Sequence, residues 1–241
     1  MEVDEPVTQN AHWWVFCVSS NTSEYQYSGQ KRLYSILKKE SQALKDDKTH
    51  SKSQYLIFSN INEWTFLKDF SDPSSSSFDK LLYSLFQEYI PALSLLLIKM
   101  NTEAHEQAHS ALHTIILRKL ASMNSLDLKL RTIPQSAKES NGRTKKADQS
   151  YKPRVLPPGR EGKWPSVVIH AAWSQPPKKL ADDARWWLEE PAGDVKAALT
   201  IAVNQTIKEI KIEKWELAPR ATRQNPGKRI AEVTRRVVVS Q

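Results

Sequence analysis

Two different spacings of apolar residues along the chain predict a protein that contains both helices and strands. Apolar residues at every third or fourth position predict helices over 30–47, 78–89, 102–123 and 177–190. Short apolar runs between polar residues predict strands. These runs cover 12–19, 55–60, 63–67, 92–100, 125–133, 147–153, 164–173, 196–204, 209–217 and 237–240. The pattern therefore predicts an α/β fold.

The order of elements is most regular in the second half of the chain. From residue 102 the predicted order is helix, three strands, helix and two strands. Polar or serine-rich loops are predicted at 47–54 and 71–77, and a basic hairpin tip at 136–146. We find no internal repeat.

Composition limits the class of protein. The chain has 241 residues, of which 39% are hydrophobic, so it can bury a sizeable core. No apolar run approaches the ~20 residues of a membrane span, and the acidic N-terminus lacks the order of a secretory signal. The single cysteine, Cys17, excludes an internal disulfide and a cysteine-based zinc site within one chain. We therefore expect an intracellular location, in cytoplasm or nucleus.

The net charge of +8 is unevenly distributed. The first hundred residues hold 10 of the 35 Lys and Arg and 12 of the 27 Asp and Glu, which leaves 25 basic and 15 acidic residues in 101–241. A basic region of this kind favours a polyanionic partner, nucleic acid first. The alternative is a solvated surface that only keeps the protein soluble.

Several segments of the chain resemble one known family. The segments are MNTEAHE (100–106), KKADQSYKP (145–153), WPSVVIHAAWSQ (164–175), KLADDARWWLEE (179–190) and IKEIKIEKWE (207–216). They resemble a group of uncharacterised fungal proteins that are similar to the Uma2-like branch of the PD-(D/E)XK nuclease superfamily.

The resemblance implies a restriction-endonuclease-like core of order α-β-β-β-α-β, with a central mixed sheet flanked by helices. This core would span 90–217. An N-terminal extension of helix and strands would span 1–89, and a basic tail would span 218–241.

The resemblance also implies an active site, with one departure from the family. Asp148 falls where the family keeps its metal-binding aspartate, and Glu106 falls where a helix carboxylate often joins the site. His170 falls where the family keeps an essential glutamate. Gln175 could supply a further polar group at the strand end. The implied catalytic set is therefore Glu106, Asp148, His170 and Gln175, with Asp148 and His170 as metal ligands.

His170 leaves three interpretations open. The site could be disarmed, it could hydrolyse with an altered metal preference, or His170 could be a plain core histidine. A neutral imidazole in place of a carboxylate weakens Mg²⁺ binding, because Mg²⁺ prefers oxygen ligands. We therefore expect a Mg²⁺- or Mn²⁺-dependent DNA endonuclease with impaired or altered activity. The alternative function is an inactive nuclease-fold protein that binds DNA or another protein.

Basic side chains close to Asp148 and His170 in sequence are expected to contact DNA phosphates, with salt-dependent affinity. They are Arg143, Lys145, Lys146, Lys152, Arg160, Lys163, Lys178 and Lys179.

Three histidines, His105, His109 and His113, are spaced four apart on the helix predicted over 102–123. Two histidines at this spacing can chelate zinc. We interpret them instead as partly buried polar residues on the border of an apolar helix face. For the rival protein-binding function, an exposed apolar patch around Trp13 and Trp14 would be diagnostic.

Overall fold

The computed structural model describes residues 12–49, 51–71, 77–134, 137–173, 177–191, 193–220 and 227–240. The helices in these ranges are α1 (Gln30–Asp46), α2 (Glu63–Phe70), α3 (Ser77–Leu85), α4 (Glu103–Ser122) and α5 (Pro177–Glu189). The strands in the first half of the chain are β1 (Ser23–Gln26), β2 (Tyr55–Ser59), β3 (Phe86–Ile90) and β4 (Leu95–Lys99). The later strands are β5 (Leu130–Pro134), β6 (Ala137–Ser140), β7 (Arg143–Lys146), β8 (Gln149–Pro153), β9 (Val167–Trp173), β10 (Ala197–Asn204), β11 (Glu209–Pro219) and β12 (Arg229–Ser240).

The strands form two mixed sheets of six strands each. The first sheet has the order β1-β2-β4-β3-β7-β6, and the second has the order β12-β11-β10-β9-β8-β5. Only β1 with β2 and β9 with β10 pair in parallel among the described strands. The predicted α/β class is confirmed, and α4, β5, β8, β9, α5 and β10 follow the expected α-β-β-β-α-β order.

Helices α4 and α5 cover opposite faces of the second sheet. Ala108 and Leu112 of α4 pack against buried Ile169 of β9. On the other face, Trp187 of α5 packs in one cluster with Val168 of β9. Because neighbouring strand residues point to opposite faces, β9 carries apolar side chains on both sides. This explains why its sequence is a continuous apolar run and not an alternating one.

The first sheet lies between α1–α3 and the N-terminal segment. Residues 12–19, predicted to be a strand, form successive turns instead. The N–H groups of Val15 and Cys17 donate to the carbonyls of His12 and Trp14, and Cys17 has a left-handed φ of 55°. Buried Phe16 packs under the sheet in a cluster that also contains strand residues. The apolar residues of this segment are therefore buried against the sheet although the segment itself is not a strand.

The strand predicted over 63–67 is also wrong, since these residues belong to α2. The side chain of Asn62 accepts a hydrogen bond of 2.8 Å from the N–H of Thr65. This N-cap satisfies a backbone donor that is otherwise free in the first helical turn. Local capping thus outweighs the strand preference of the aromatic residues.

Two further element boundaries differ from the sequence-based prediction. The helix predicted over 78–89 ends at Leu85, and Phe86–Ile90 form the fully buried strand β3. In the strand predicted over 125–133, Leu126–Lys129 form a short 3₁₀ helix before β5 begins. In both segments an apolar run is compatible with either a helix or a strand, and the contacts with the rest of the fold select one of them.

The chain crosses between the sheets around residues 134–149. β5 and β8 belong to the second sheet, but the β6–β7 hairpin between them pairs with β3 of the first sheet. Strand pairs also cross both boundaries expected from the sequence: β3 pairs with β4 across 89/90, and β12 pairs with β11 across 217/218. Within the described ranges, none of the helices combines the length and apolar character that crossing a bilayer requires.

Candidate functional site

Asp148 lies where the chain returns from the first sheet to the second. Its N–H donates to the carbonyl of Ile169 at 3.2 Å, and the following residue, Gln149, pairs with Ile169 in the β8–β9 register. Asp148, just before β8, therefore lies opposite His170 of β9, with its carboxylate against α4 while the His170 ring packs under α5. The crossing brings Lys99, from the end of β4, to the same point.

The Asp148 carboxylate is held by a dense set of donors. Lys99 Nζ lies 2.9 Å from both carboxylate oxygens, and the N–H of Ala171 donates to Oδ2 at 2.7 Å. Lys99 Nζ also donates to the carbonyl of Ala171 at 2.8 Å. Burial alone would raise the pKa of Asp148, but the charge of Lys99 and the facing His105 hold it well below its ordinary value. Asp148 is thus ionised and paired at neutral pH.

Beside this ion pair, α4 contributes a cluster of three side chains, His105, Glu106 and His109. His105 Nε2 lies 3.3 Å from Asp148 Oδ2, and its Nδ1 lies 3.5 Å from Glu106 Oε1. His109 Nε2 lies 3.0 Å from Glu106 Oε2. The two rings, His105 first, lower the pKa of Glu106 to about 2. Lys99, Asp148 and these three side chains line one surface pocket.

The histidine cluster contains a signal that the sequence interpretation missed. Residues 105–109 read HEQAH, which is the HExxH spacing that places two histidines on one helix face with a glutamate between them. Only His105 of the helical stripe is fully buried, at 1% exposure. His113, one turn further on, instead forms a 2.8 Å hydrogen bond between Nδ1 and the Tyr151 hydroxyl.

His170 is buried among apolar and charged groups. Its ring packs 6.2 Å from that of Trp187, and its Nε2 has no hydrogen-bond partner in the described structure. Burial lowers the pKa of His170 to about 4, although the nearby charges of Asp183 and Asp148 oppose the shift. The imidazole is therefore neutral at pH 7 and supplies no charge to balance a bound cation.

A buried network of charges lies near the same strand. Lys179 Nζ is 2.8 Å from both Glu88 Oε2 and Asp183 Oδ1. Lys145 Nζ is 3.0 Å from the same Asp183 oxygen and 2.7 Å from Asp182 Oδ2. Burial would lower the pKa values of both lysines, but the surrounding carboxylates raise them. Opposite charges thus compensate one another inside the fold.

Three lysines of the expected DNA-contacting set are buried. Lys145, Lys146 and Lys179 are at most 3% exposed. Lys146 Nζ donates to the carbonyls of Tyr83 and Ser84, and burial lowers its pKa to about 7. Side chains enclosed in this way do not reach a phosphate in this conformation, so the structure gives them a role in packing two elements together.

The remaining basic side chains lie in different environments. Arg143 pairs with Glu88 at 3.2 Å, and Arg160 donates to the Ser166 hydroxyl at 2.6 Å. Lys163 and Lys178 are exposed, and Lys152 is half-buried.

Lys138 was missed by the sequence analysis. Burial lowers its pKa, and the nearby charges of Lys152 and Lys163 lower it further. These three lysines therefore share one basic surface. Gln175 lies outside the described residues.

No family model and no curated protein matches this chain. Among solved structures, a match is the crystal structure at 1.96 Å resolution of a candidate nuclease of the DUF820 group from Anabaena variabilis. The match covers 64% of this chain and 76% of that chain, with 13% identity and a TM-score of 0.36. No residue role passes between proteins at this level of similarity.

Proposed function

We propose that this chain is a divalent-metal-dependent DNA phosphodiesterase with weak, Mn²⁺-favouring activity. The observation that supports the proposal is the position of Asp148, which lies beside His170 and shares a pocket with Glu106. A divalent ion in such a pocket would activate water and neutralise charge on the phosphate. Asp148 and Glu106 would supply oxygen ligands, while His170 lies close by on the α5 face of β9 and outside the pocket.

The side chains fit Mg²⁺ poorly. Lys99 occupies both oxygens of the Asp148 carboxylate, so a hard cation has to displace an ammonium group. The nitrogen groups that line the pocket beside Asp148 are the imidazoles of His105 and His109, whereas Mg²⁺ prefers a site made of oxygen ligands. Mn²⁺ accepts a nitrogen ligand more readily, because softer first-row metals suit imidazole. These two features are the reason for proposing weak hydrolysis with a preference for Mn²⁺.

The proposal is tested by cleavage of supercoiled plasmid DNA. We expect the wild type to nick slowly with Mn²⁺ and more slowly with Mg²⁺. Asp148→Ala should abolish nicking, and Glu106→Gln should reduce it by about 10²-fold or more, because each removes a carboxylate from the pocket. The matched control is Glu103→Gln, an exposed carboxylate in the first turn of the same helix, which should leave the rate unchanged.

His170→Glu distinguishes a disarmed site from one that never hydrolysed DNA. If the missing charge limits metal binding, this variant should raise the Mg²⁺-dependent rate above that of the wild type. Wild-type nicking that survives Asp148→Ala would reject the assigned site. Inactivity of wild type and His170→Glu with both metals would reject hydrolysis altogether.

The alternative is an inactive nuclease-fold protein that binds DNA or a protein partner. The Lys99–Asp148 ion pair favours this alternative, since it neutralises the carboxylate that a metal would need. Trp14 is 62% exposed, but Trp13 beside it packs against the core, so the described residues present one exposed indole here and no apolar patch. Salt-sensitive DNA binding without cleavage would support the DNA-binding form of this alternative.

A further inference from the structure

We propose that His105, Glu106 and His109 form a binding site for a divalent transition-metal ion of the zinc type. One ligand atom from each of these side chains lies within 4.8 Å of the other two. Ligands around a tetrahedral zinc ion lie about 3.4 Å apart, because each metal–ligand bond is about 2.0–2.2 Å long, so the three side chains would move slightly closer together on binding. The site shares Glu106 and its pocket with the proposed hydrolysis, but the inference concerns ion binding without DNA and does not require cleavage.

The helix presents these ligands toward the pocket. His105 and His109 are four residues apart, so they lie one above the other on a single face of α4. Glu106 is 48% exposed and His109 is 17% exposed in their side chains, which leaves the outer side of the cluster open. An ion and its remaining water ligands could therefore enter from solvent without rearrangement of the core.

His105 supplies an independent reason to place a ligand here. The residue is 1% exposed, yet neither ring nitrogen has a hydrogen-bond partner in the described structure. Its two ring nitrogens face carboxylates on both sides, with Nε2 3.3 Å from Asp148 Oδ2 and Nδ1 3.5 Å from Glu106 Oε1. A neutral imidazole has one N–H, so it can donate to only one of the two carboxylates, and a cation between its other nitrogen and the second carboxylate would satisfy both.

Asp148 fixes which ring nitrogen would bind the ion. Its carboxylate is itself held by Lys99 and the Ala171 N–H, and it faces His105 Nε2. When Nε2 carries the proton toward Asp148, the lone pair on Nδ1 points toward Glu106 and the ion. Metal-binding histidines commonly donate their second ring N–H to a carboxylate in this way. Asp148 is thus a positioning residue for this site.

The ligand set indicates the class of ion. Two imidazoles and one carboxylate bind Zn²⁺ in sites that keep a fourth position for water or substrate. Mg²⁺ is disfavoured, since it demands an octahedral set of oxygens. In HExxH metalloproteases the glutamate is the general base and not a ligand. Here Glu106 contacts His109 Nε2 at 3.0 Å and faces His105 Nδ1, so its position suits a third ligand.

The test measures ion binding to the full chain in the absence of DNA. Protein stripped with a chelator is titrated with Co²⁺, followed by the visible absorption of the bound ion, and then with Zn²⁺ in competition. We expect one ion per chain, with affinity lowered more than about 10-fold by His109→Ala or Glu106→Gln. Asp148→Asn should weaken binding about 10–100-fold through the orientation of His105.

His113→Ala is the matched control, because His113 lies one turn further along the same helix and bonds to Tyr151. It should bind the ion as the wild type does. Thermal unfolding of each chelated variant checks that the fold persists, which is expected because Glu106 and His109 reach solvent.

Three results would overturn the site: no one-to-one binding by the wild type, unchanged affinity in His109→Ala, or an equal loss in His113→Ala. Because DNA is absent, such a failure leaves the proposed hydrolysis standing if plasmid nicking depends on Asp148. Conversely, ion binding without any nicking would support the site and reject the hydrolysis.

Discussion

At the scale of single residues, Lys179 shows how a charge in the core can stabilise the fold. It is enclosed, yet it contacts Glu88 and Asp183 at 2.8 Å each. Replacing it by Met would leave carboxylates buried with fewer opposite charges. Removal of one partner from a buried ion pair costs about 3–5 kcal/mol. We expect Lys179→Met to lower the free energy of unfolding by that amount in urea denaturation at pH 7.

The same network predicts the pH dependence of this loss. Burial would raise the pKa of Asp183, but Lys179 and Lys145 lower it below its ordinary value. A carboxyl with a depressed pKa in the folded state stabilises above about pH 4 and loses that contribution as pH falls further. The gap between wild type and Lys179→Met should therefore shrink below about pH 4. Lys178→Met, at the exposed neighbouring position, should change stability by less than about 0.5 kcal/mol.

Single residues also mark the limit of what the sequence could predict at the site. The sequence interpretation placed Asp148 and His170 in one site, and in the structure Asp148 lies opposite His170 at the end of the β8–β9 ladder. The pairing of Asp148 with Lys99 could not, since these residues are 49 apart and come from different sheets. The burial of Lys145 and Lys179 was also missed, because lysine is nearly always exposed unless it is paired. Most of their carboxylate partners come from distant parts of the chain, so the sequence does not show the pairing.

At the scale of elements, the β6–β7 hairpin lies in the first sheet although its chain neighbours β5 and β8 lie in the second. Its turn contains Asn141 and Gly142, with left-handed φ angles of 47° and 67°. Asn-Gly suits this turn because both residues tolerate positive φ. The sequence located this hairpin tip correctly, whereas it could not show that the hairpin leaves the sheet of its neighbours β5 and β8. The residues of a turn are adjacent in sequence, so the turn can be predicted, whereas the strand that pairs with the hairpin is distant in sequence and cannot.

The turn gives a direct test. Gly142→Ala should destabilise the protein by about 1 kcal/mol, because a left-handed φ places Cβ too close to the following carbonyl. No other atom lies within 4 Å of the added Cβ, so the loss would report backbone strain alone. Gly162→Ala is the control, with an ordinary φ and a nearest contact of 3.5 Å. Equal midpoints in chemical denaturation for the two variants would contradict this account of the turn.

At the scale of the whole molecule, a group of neighbouring basic residues lies outside the pocket. Lys138, Lys152 and Lys163 share one surface, and Arg131 lies opposite Lys152 in the β5–β8 register. Like charges held side by side weaken folding, and a bound anionic partner would offset this repulsion. Lys152 lies in β8 beyond Gln149, whereas Asp148 precedes that strand. A bound duplex would therefore have to extend along β8 to reach both.

This surface predicts a salt dependence for DNA binding. Lys152→Ala and Lys163→Ala should each weaken binding and reduce the slope of log affinity against log salt by about one. Lys31→Ala, an exposed lysine on α1, should leave the slope unchanged. Fluorescence anisotropy with a labelled duplex at several salt concentrations measures all three. An identical slope for every variant would place the DNA contacts elsewhere or remove them.

The strand order of the first sheet has a consequence for synthesis of the chain. Strands β1 to β4 are complete once residue 99 has been made, but the outer edge of β3 pairs with β7 at Thr144 and Lys145. Until those residues leave the ribosome, β3 is an open edge, and Glu88 lacks both of its buried lysine partners. The nascent protein thus passes through an interval in which this edge can pair with other chains, and chaperone protection would matter most there.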